Sequence, residues 1–439
     1  MNDPRLGIME APGGSPGTVH NDAARSSRRT WCTLAFLLSV LARAPTSSAG
    51  EWPQILGPER NGIAAADERL ADSWPAAGPR PIWRREVGAG YAGVAIAGGR
   101  GFLFHRLGDR EVTEAFDPAT GATLWKADQA TTFRPQVGGG DGPLCVPVVH
   151  GDRVLTFGAQ GVLSCLDAAT GRRLWARETH REFAAQEGYF GAGSTPLIVG
   201  NLVVVNVGGR RDAGVVAFAV DTGTTVWQKT SEPASYSAPV LATIGGEPHV
   251  LIVTRYACLL LDAAAGDVRW QFPFGQRGPT VNAATPIVPA AGRLFLTAAY
   301  GIGCVSADFD RAAARPRWQG AGPLATQYCT PIAAAGHLYG IDGRDDVPPA
   351  DLVCIAEETG REVWREQDFG YGTLLAADGK LLAAKTDGEL VLMRATPAGA
   401  DVLARARPLP GTLRALPALS AGRLYLRDDT SLTCLDVAR

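Results

Sequence analysis

The stretch CLDAATGRRLW, Cys165 to Trp175, decides the fold because the chain repeats it. AFDPATGATLW, Ala115 to Trp125, carries the same Asp, Thr-Gly and Trp at the same offsets, and looser copies end at Trp227, Trp270, Trp318 and Trp364. Trp83 fits the register at the front, so the intervals between these tryptophans run from 42 to 52 residues. A repeat of that length is one four-stranded blade of a β-propeller. Between two tryptophans the parts are legible: LCVPVVHG and RVLTFGAQ read as strands joined at Gly151-Asp152, and GVLSCLDA and RRLWARE follow. The Asp167–Gly171 link reads as a tight turn. An Asp side chain bonds the backbone N–H groups just ahead, and Gly takes positive φ. Gly121, Gly223, Gly266 and Gly360 hold the equivalent place in other units. The Trp offers a broad apolar face with one N–H to satisfy, which suits a seam between twisted sheets.

Two further units lack the Trp. Residues 372–409 read as a seventh blade, and 415–439 as three strands of an eighth. The missing fourth strand is available at the front, in RPIWRREVG (80–88), so an N-terminal strand is expected to close the ring and remove its open edges. The reading is therefore all-β: an eight-bladed propeller of four-stranded blades over 80–439, preceded by an extended segment over 50–79.

Residues 1–49 read as a leader. Arg25, Arg28 and Arg29 precede an apolar run from Trp31 to Ala42, and small residues end at Ala49. That is the pattern of a secretory signal peptide cut near Ala49, with Met1 or Met9 as the start and SRRTWC as a partial twin-arginine signal. The run is short for a membrane span. The expected location is periplasmic or secreted, peripheral to a membrane at most. A net charge of −2 gives no nucleic-acid footprint. Seven cysteines remain after the leader, most inside apolar runs such as LSCLD and LTCLD, and they read as buried free thiols rather than a disulfide framework.

The repeated LDaaTGxxxW element and the count of eight resemble the pyrroloquinoline-quinone-like (PQQ-like) propeller repeat family. That family includes quinoprotein alcohol dehydrogenases and the lipoprotein subunit of the outer-membrane barrel-assembly machinery. WPQILGPERNG (52–62) is also similar to the opening of a group of secreted bacterial propeller proteins without established activity. The resemblance covers roughly 52–439. For a dehydrogenase it implies a quinone in the central channel, with adjacent cysteines, a Trp floor and calcium held by Glu, Asn and Asp. Here no two cysteines are adjacent, and no CxxCH is present to carry haem. The six histidines form no HxH or HExxH, and His105, in LFHRLGDRE, reads as a loop-edge residue at a strand end. No GxSxG elbow occurs. The acidic loop DGRDDVPPAD (342–351) reads as a solvated insertion between strands.

The residues just before each blade's first strand carry a stronger signal, since they surround the mouth of the axial channel. Tyr91, Tyr236, Tyr328 and Tyr371 share one offset, Arg414 takes that place in the last blade, and Tyr189 and Asn282 sit close by. These seven are the expected ligand-binding residues, suited to a flat, sugar-like or peptide ligand. The favoured reading is a non-catalytic binding or scaffold protein, monomeric, without a cofactor, facing a protein or envelope component. The alternatives are a PQQ- and calcium-dependent dehydrogenase and an outer-membrane assembly scaffold.

Overall fold

The computed structural model describes residues 50–438; the expected leader and the cleavage near Ala49 lie outside them. Thirty-two strands form eight antiparallel sheets of four, with one short helix, Thr179–Glu182. This is the eight-bladed propeller that the repeat implies. Blade 1 runs through Val94–Ala97, Arg100–Leu107, Arg110–Phe116 and Thr123–Ala130, and each later blade follows the same inner-to-outer order. First strands of neighbouring blades approach one another around the axis. The burial pattern explains the order. Second and third strands are buried almost throughout, as in Leu202–Asn206 and Val215–Ala219, because both of their faces meet neighbouring blades. Outer strands such as Thr123–Ala130 alternate exposed and half-buried. In the eighth sheet Arg80–Glu86 pairs antiparallel with Ser431–Asp436, Arg84 opposite Thr433.

The repeated tryptophans hold the seams. Each indole N–H donates to a backbone carbonyl in the turn of the next blade: Trp83 to Pro118 (3.0 Å), Trp125 to Ala168 (3.1 Å), Trp175 to Val220 (2.8 Å) and Trp227 to Ala263 (3.1 Å). Trp270, Trp318 and Trp364 do the same toward Asp310, Glu357 and Thr396. The turn glycine lies under the ring. A Cβ on Gly171 would stand 2.5 Å from the Trp125 indole, and Gly121, Gly223, Gly266 and Gly360 meet Trp83, Trp175, Trp227 and Trp318 in the same way. The turn therefore needs glycine twice over, for its φ of +73° at Gly171 and for the flat ring above it. Asp167 completes the turn by accepting from the Ala169 and Thr170 N–H groups at 3.1 and 2.9 Å.

The outer strand of blade 7, Gly399–Ala406, carries no Trp for the seam with blade 8, and the N-terminal segment covers it. Leu70 and Trp74 are buried in one cluster with Leu409, Leu413 and Val437. Ala71 N–H donates to the Val437 carbonyl in blade 8, while Lys380 of blade 7 donates to Leu70 O at 2.8 Å. Upstream, the same segment crosses the axis. Trp52 exchanges both backbone bonds with Ile96 of blade 1, Pro53 O accepts from Val149 of blade 2, and Gly62 O and Ala64 N pair with Ala376 of blade 7.

One expectation changes here and another holds. His105 is not at a loop edge: it lies inside Arg100–Leu107, 2% exposed, with Nε2 3.4 Å from Glu114. A strand between two blades buries the middle of both its faces, polar side chains included, so Glu114 is placed where His105, Arg85 and Thr123 can satisfy it. Burial opposes ionisation of Glu114, yet the bonds from these three partners outweigh it and hold the carboxyl down at about 2. The seven cysteines are free and buried, and burial pushes every thiol up, so they act as small apolar side chains.

Candidate functional site

The loops that lead into the inner strands surround a cup of about 470 Å³ at one end of the axis. Its wall carries five aromatic rings: Tyr91, Phe190, Tyr236, Tyr300 and Tyr328. Ile55, from the segment that crosses the axis, lines the cup from below. A few residues on, Arg60 is 2% exposed and donates to the carbonyls of Thr195 (3.3 Å), Pro196 and Pro239 (2.9 Å), where the chain enters the inner strands of blades 3 and 4. Burial brings its guanidinium down to about 9, still charged at neutral pH. The motif WPQILGPERNG is thus an internal plug.

The polar edge of the cup is held in fixed pairs. Arg414 Nε donates to Asp345 at 2.8 Å, and its guanidinium lies 5.6 Å over the Tyr91 ring. Arg344 donates to Asp346 at 2.9 Å and lies 4.4 Å over Tyr300. Gln327 ties this edge together: its Nε2 reaches Tyr300 Oη (2.9 Å) and the Asp346 carboxylate (3.2 Å), and its Oε1 accepts from the backbone N–H of Asp345 (2.8 Å).

The phenols share one arrangement. Tyr91 Oη accepts from Gly140 N–H (3.1 Å), Tyr236 Oη from Phe190 N–H (3.0 Å) and Tyr300 Oη from Gln327. Each of these hydroxyls is used as an acceptor, and its proton is left to donate. The Tyr328 hydroxyl is buried without a protein partner. Burial raises Tyr236, Tyr300 and Tyr328 above the ordinary tyrosine value, so these three phenols stay protonated.

Of the seven residues expected at the mouth, Tyr91, Tyr236, Tyr328 and Arg414 line the cup. The other three do not. Tyr371 is buried behind Tyr328, its ring 4.7 Å away, and its hydroxyl accepts from the N–H groups of Tyr328 (2.7 Å) and Cys329 (3.0 Å). Asn282 is buried, and its Nδ2 donates to the carbonyls of Thr254, Arg255 and Phe274. Both fasten loops. Tyr189 opens instead onto an adjoining groove. The acidic loop also departs from its reading as a solvated insertion, because Asp345 and Asp346 turn into the cup. Sequence offers no signal for Tyr300, which sits in a hairpin turn rather than before an inner strand.

The groove occupies about 790 Å³ on the same face, above blades 3 and 4. It shares Tyr236 and Gly193 with the cup as a common wall. At its base lie Asn206, 2% exposed, and His180. Asn206 Oδ1 and His180 Nδ1 are both buried without a protein partner. Burial brings His180 down to about 4, so its imidazole is neutral at physiological pH. Arg255 lies over Tyr189 (5.6 Å) and Tyr256 (5.8 Å) at the rim.

Fold and site together define an eight-bladed propeller with a plugged axis and an aromatic cup. The family model described as outer membrane protein assembly factor BamB matches residues 108–366, more than half of the chain, and the chain belongs to this PQQ-like repeat family. Among solved structures it is similar to BamB from Moraxella catarrhalis, at 18% identity over 81% of this chain and 96% of that one, with a TM-score of 0.58. It is similar too to the quinohemoprotein alcohol dehydrogenase ADHIIG from Pseudomonas putida HK5, at 12% identity over 89% and 80%, TM-score 0.61. A europium-containing methanol dehydrogenase gives 12% identity over 86% and 89%, TM-score 0.60. At these identities the likeness is one of fold. No curated protein sequence matches the chain.

The dehydrogenase neighbours raise the question of a quinone with its metal. Among the described residues no group of three or more His, Cys, Asp or Glu side chains is placed to hold a metal ion. The two carboxylates of the cup are engaged by arginines, and no Trp lines it. This donor set does not fit a calcium-bound quinone, and no chemical step is derived through one.

Proposed function

We propose that this chain is a non-catalytic binding or scaffold propeller that works outside the cytoplasm, in the periplasm or after secretion, and takes a small ligand in its axial cup. The observation that carries this reading is the cup itself: aromatic faces, phenol protons left to donate, and carboxylates locked to arginines on a floor closed by the chain's own N-terminal segment. Fixed, mutually paired charges and a largely aromatic wall suit reversible recognition. General acid–base chemistry would call for a group poised to exchange protons near neutral pH.

The family's assembly-factor description supports a second, compatible role, in which the rim docks a protein or envelope component while the cup binds its ligand. Thermal melting of the purified protein with and without pyrroloquinoline quinone plus calcium, followed by an alcohol and sugar panel with an artificial electron acceptor, tests the non-catalytic assignment. A flat response in both is expected. Turnover with a quinone-dependent rise in Tm would replace this reading with a quinoprotein dehydrogenase.

A further inference from the structure

The cup and the groove beside it are separated only by the Tyr236 and Gly193 wall. On either side of that wall the chemistry is complementary. The cup supplies ring faces and tyrosine O–H donors, with carboxylate acceptors at its edge. The groove supplies an orphaned amide oxygen and a neutral, unpartnered imidazole nitrogen at its base, under a rim of arginine and tyrosine. Buried polar atoms are normally paired, so Asn206 Oδ1 and His180 Nδ1 mark a place where an outside molecule supplies the missing partners.

We infer that cup and groove are consecutive subsites for a short, uncharged oligosaccharide, which lies across Tyr236 with one ring in the cup and the next over Asn206. The inference rests on the binding reading proposed above and names its ligand class. Three observations favour a saccharide over a peptide. Sugar rings join an apolar face to a hydroxylated edge, the pairing that the cup's rings and phenols match. Hydroxyls both donate and accept, so one ligand type can serve Asn206 Oδ1, the tyrosine O–H groups and the Asp345 carboxylate. An extended peptide, by contrast, binds through main-chain ladders to a free edge. Around the mouth those groups are taken: Tyr91 and Ala92 N–H bond Pro143 O, Tyr236 and Ser237 N–H bond Asn282 O, and Gly140 and Phe190 N–H bond tyrosine hydroxyls.

Calorimetric titration of the purified full chain tests this, with glucose and N-acetylglucosamine against cellotetraose and chitotetraose, and mixed-sequence tetrapeptides as the third arm. One tetrasaccharide should bind at least about tenfold tighter than its monomer, since the second subsite is filled without a second loss of translational freedom. Asn206→Ala should remove that advantage and leave monosaccharide affinity unchanged. Arg255→Gln, at the rim and free of core packing, should reduce the same advantage if the Asn206 variant folds poorly. Tyr300→Phe should weaken monomer and tetramer alike, by about threefold to tenfold, the worth of one hydrogen bond. Equal affinities for monomer and tetramer would overturn the extended site while leaving the cup as a binding site. Tetrapeptide binding without saccharide binding would overturn the ligand class. Silence from all three arms would remove the binding reading as well.

Discussion

At the scale of single residues, the fold depends on a ring lying flat on a glycine. Gly171→Ala would force a Cβ to within 2.5 Å of Trp125 at a φ of +73°, so the turn or the indole must move. The expected cost is about 2–4 kcal/mol, from left-handed strain plus a lost seam contact. Trp125→Phe keeps most of the apolar face but leaves the Ala168 carbonyl without its donor, at about 1 kcal/mol. Denaturant unfolding of both variants and the double mutant should reveal coupling, because the two residues touch. His180 gives a residue-scale pH effect. Its folded-state value, about 4, lies below the ordinary 6.5, so the unfolded chain takes up the proton first. Stability is then full above about pH 6.5, declines as the pH falls toward 4, and is flat with respect to this group below that. Between pH 7 and pH 5 the wild type should lose about 2 kcal/mol that His180→Asn does not, read from denaturant midpoints at each pH. Equal losses would mean that His180 takes up its proton as readily in the folded chain as in the unfolded one. The Trp–Gly pairs were legible in sequence because they recur at a fixed offset. His105 was misread because its burial comes from a neighbouring blade, which no local pattern reports.

Among the elements, the N-terminal segment does two jobs that ordinary blades cannot. It covers the one seam without a repeat tryptophan, and it seals the axis. Arg60 is the fastening point, a buried cation bound to three backbone carbonyls and to the side-chain oxygen of Gln54. Arg60→Met should leave the carbonyls of Thr195, Pro196 and Pro239 short of donors in a buried site, with an expected loss of about 3 kcal/mol. The cup floor should loosen with it, because Ile55 hangs on the same segment. Hydrogen exchange checks this: protection should fall at Trp52, Ala64 and Ala376, whose N–H groups pair segment to inner strand, more than in the outer strands. Uniform loss of protection would make Arg60 a general stabiliser rather than a local fastener. Sequence showed WPQILGPERNG as a motif without showing its task. Its partners lie 44 to over 300 residues away, and they meet it only once the ring has formed. The same limit applies to the site. Offsets before the inner strands found Tyr91, Tyr236, Tyr328 and Arg414, yet they equally selected Tyr371 and Asn282, which the loops turn inward. Whether a mouth residue faces the axis or its neighbour is settled by loop length, and those lengths differ from blade to blade.

Across the whole molecule, a propeller concentrates its risk at the one sheet assembled from both ends of the described chain. Arg80–Glu86 completes the blade whose other three strands lie more than three hundred residues later, and Trp83 then joins that blade to the turn of the first. Separating this pair would expose Ser431–Asp436 as a free edge and release one tryptophan seam, so local opening here would be the start of unfolding and of edge-to-edge aggregation. A covalent bridge tests the idea. Arg84 and Thr433 are register partners in the closing pair, and Arg84→Cys with Thr433→Cys places two thiols across it while the seven native thiols stay buried. Closing so long a loop is worth at most about 5 kcal/mol from the unfolded chain's lost entropy, and engineered bridges commonly return less. The oxidised variant should therefore unfold at a clearly higher denaturant concentration than its reduced form and aggregate more slowly on heating. The reduced form should track the wild type closely. A bridge that forms but shifts neither property would mean that unfolding begins elsewhere, and the seam between blades 7 and 8, held by the N-terminal segment instead of a repeat tryptophan, would be the next place to lock.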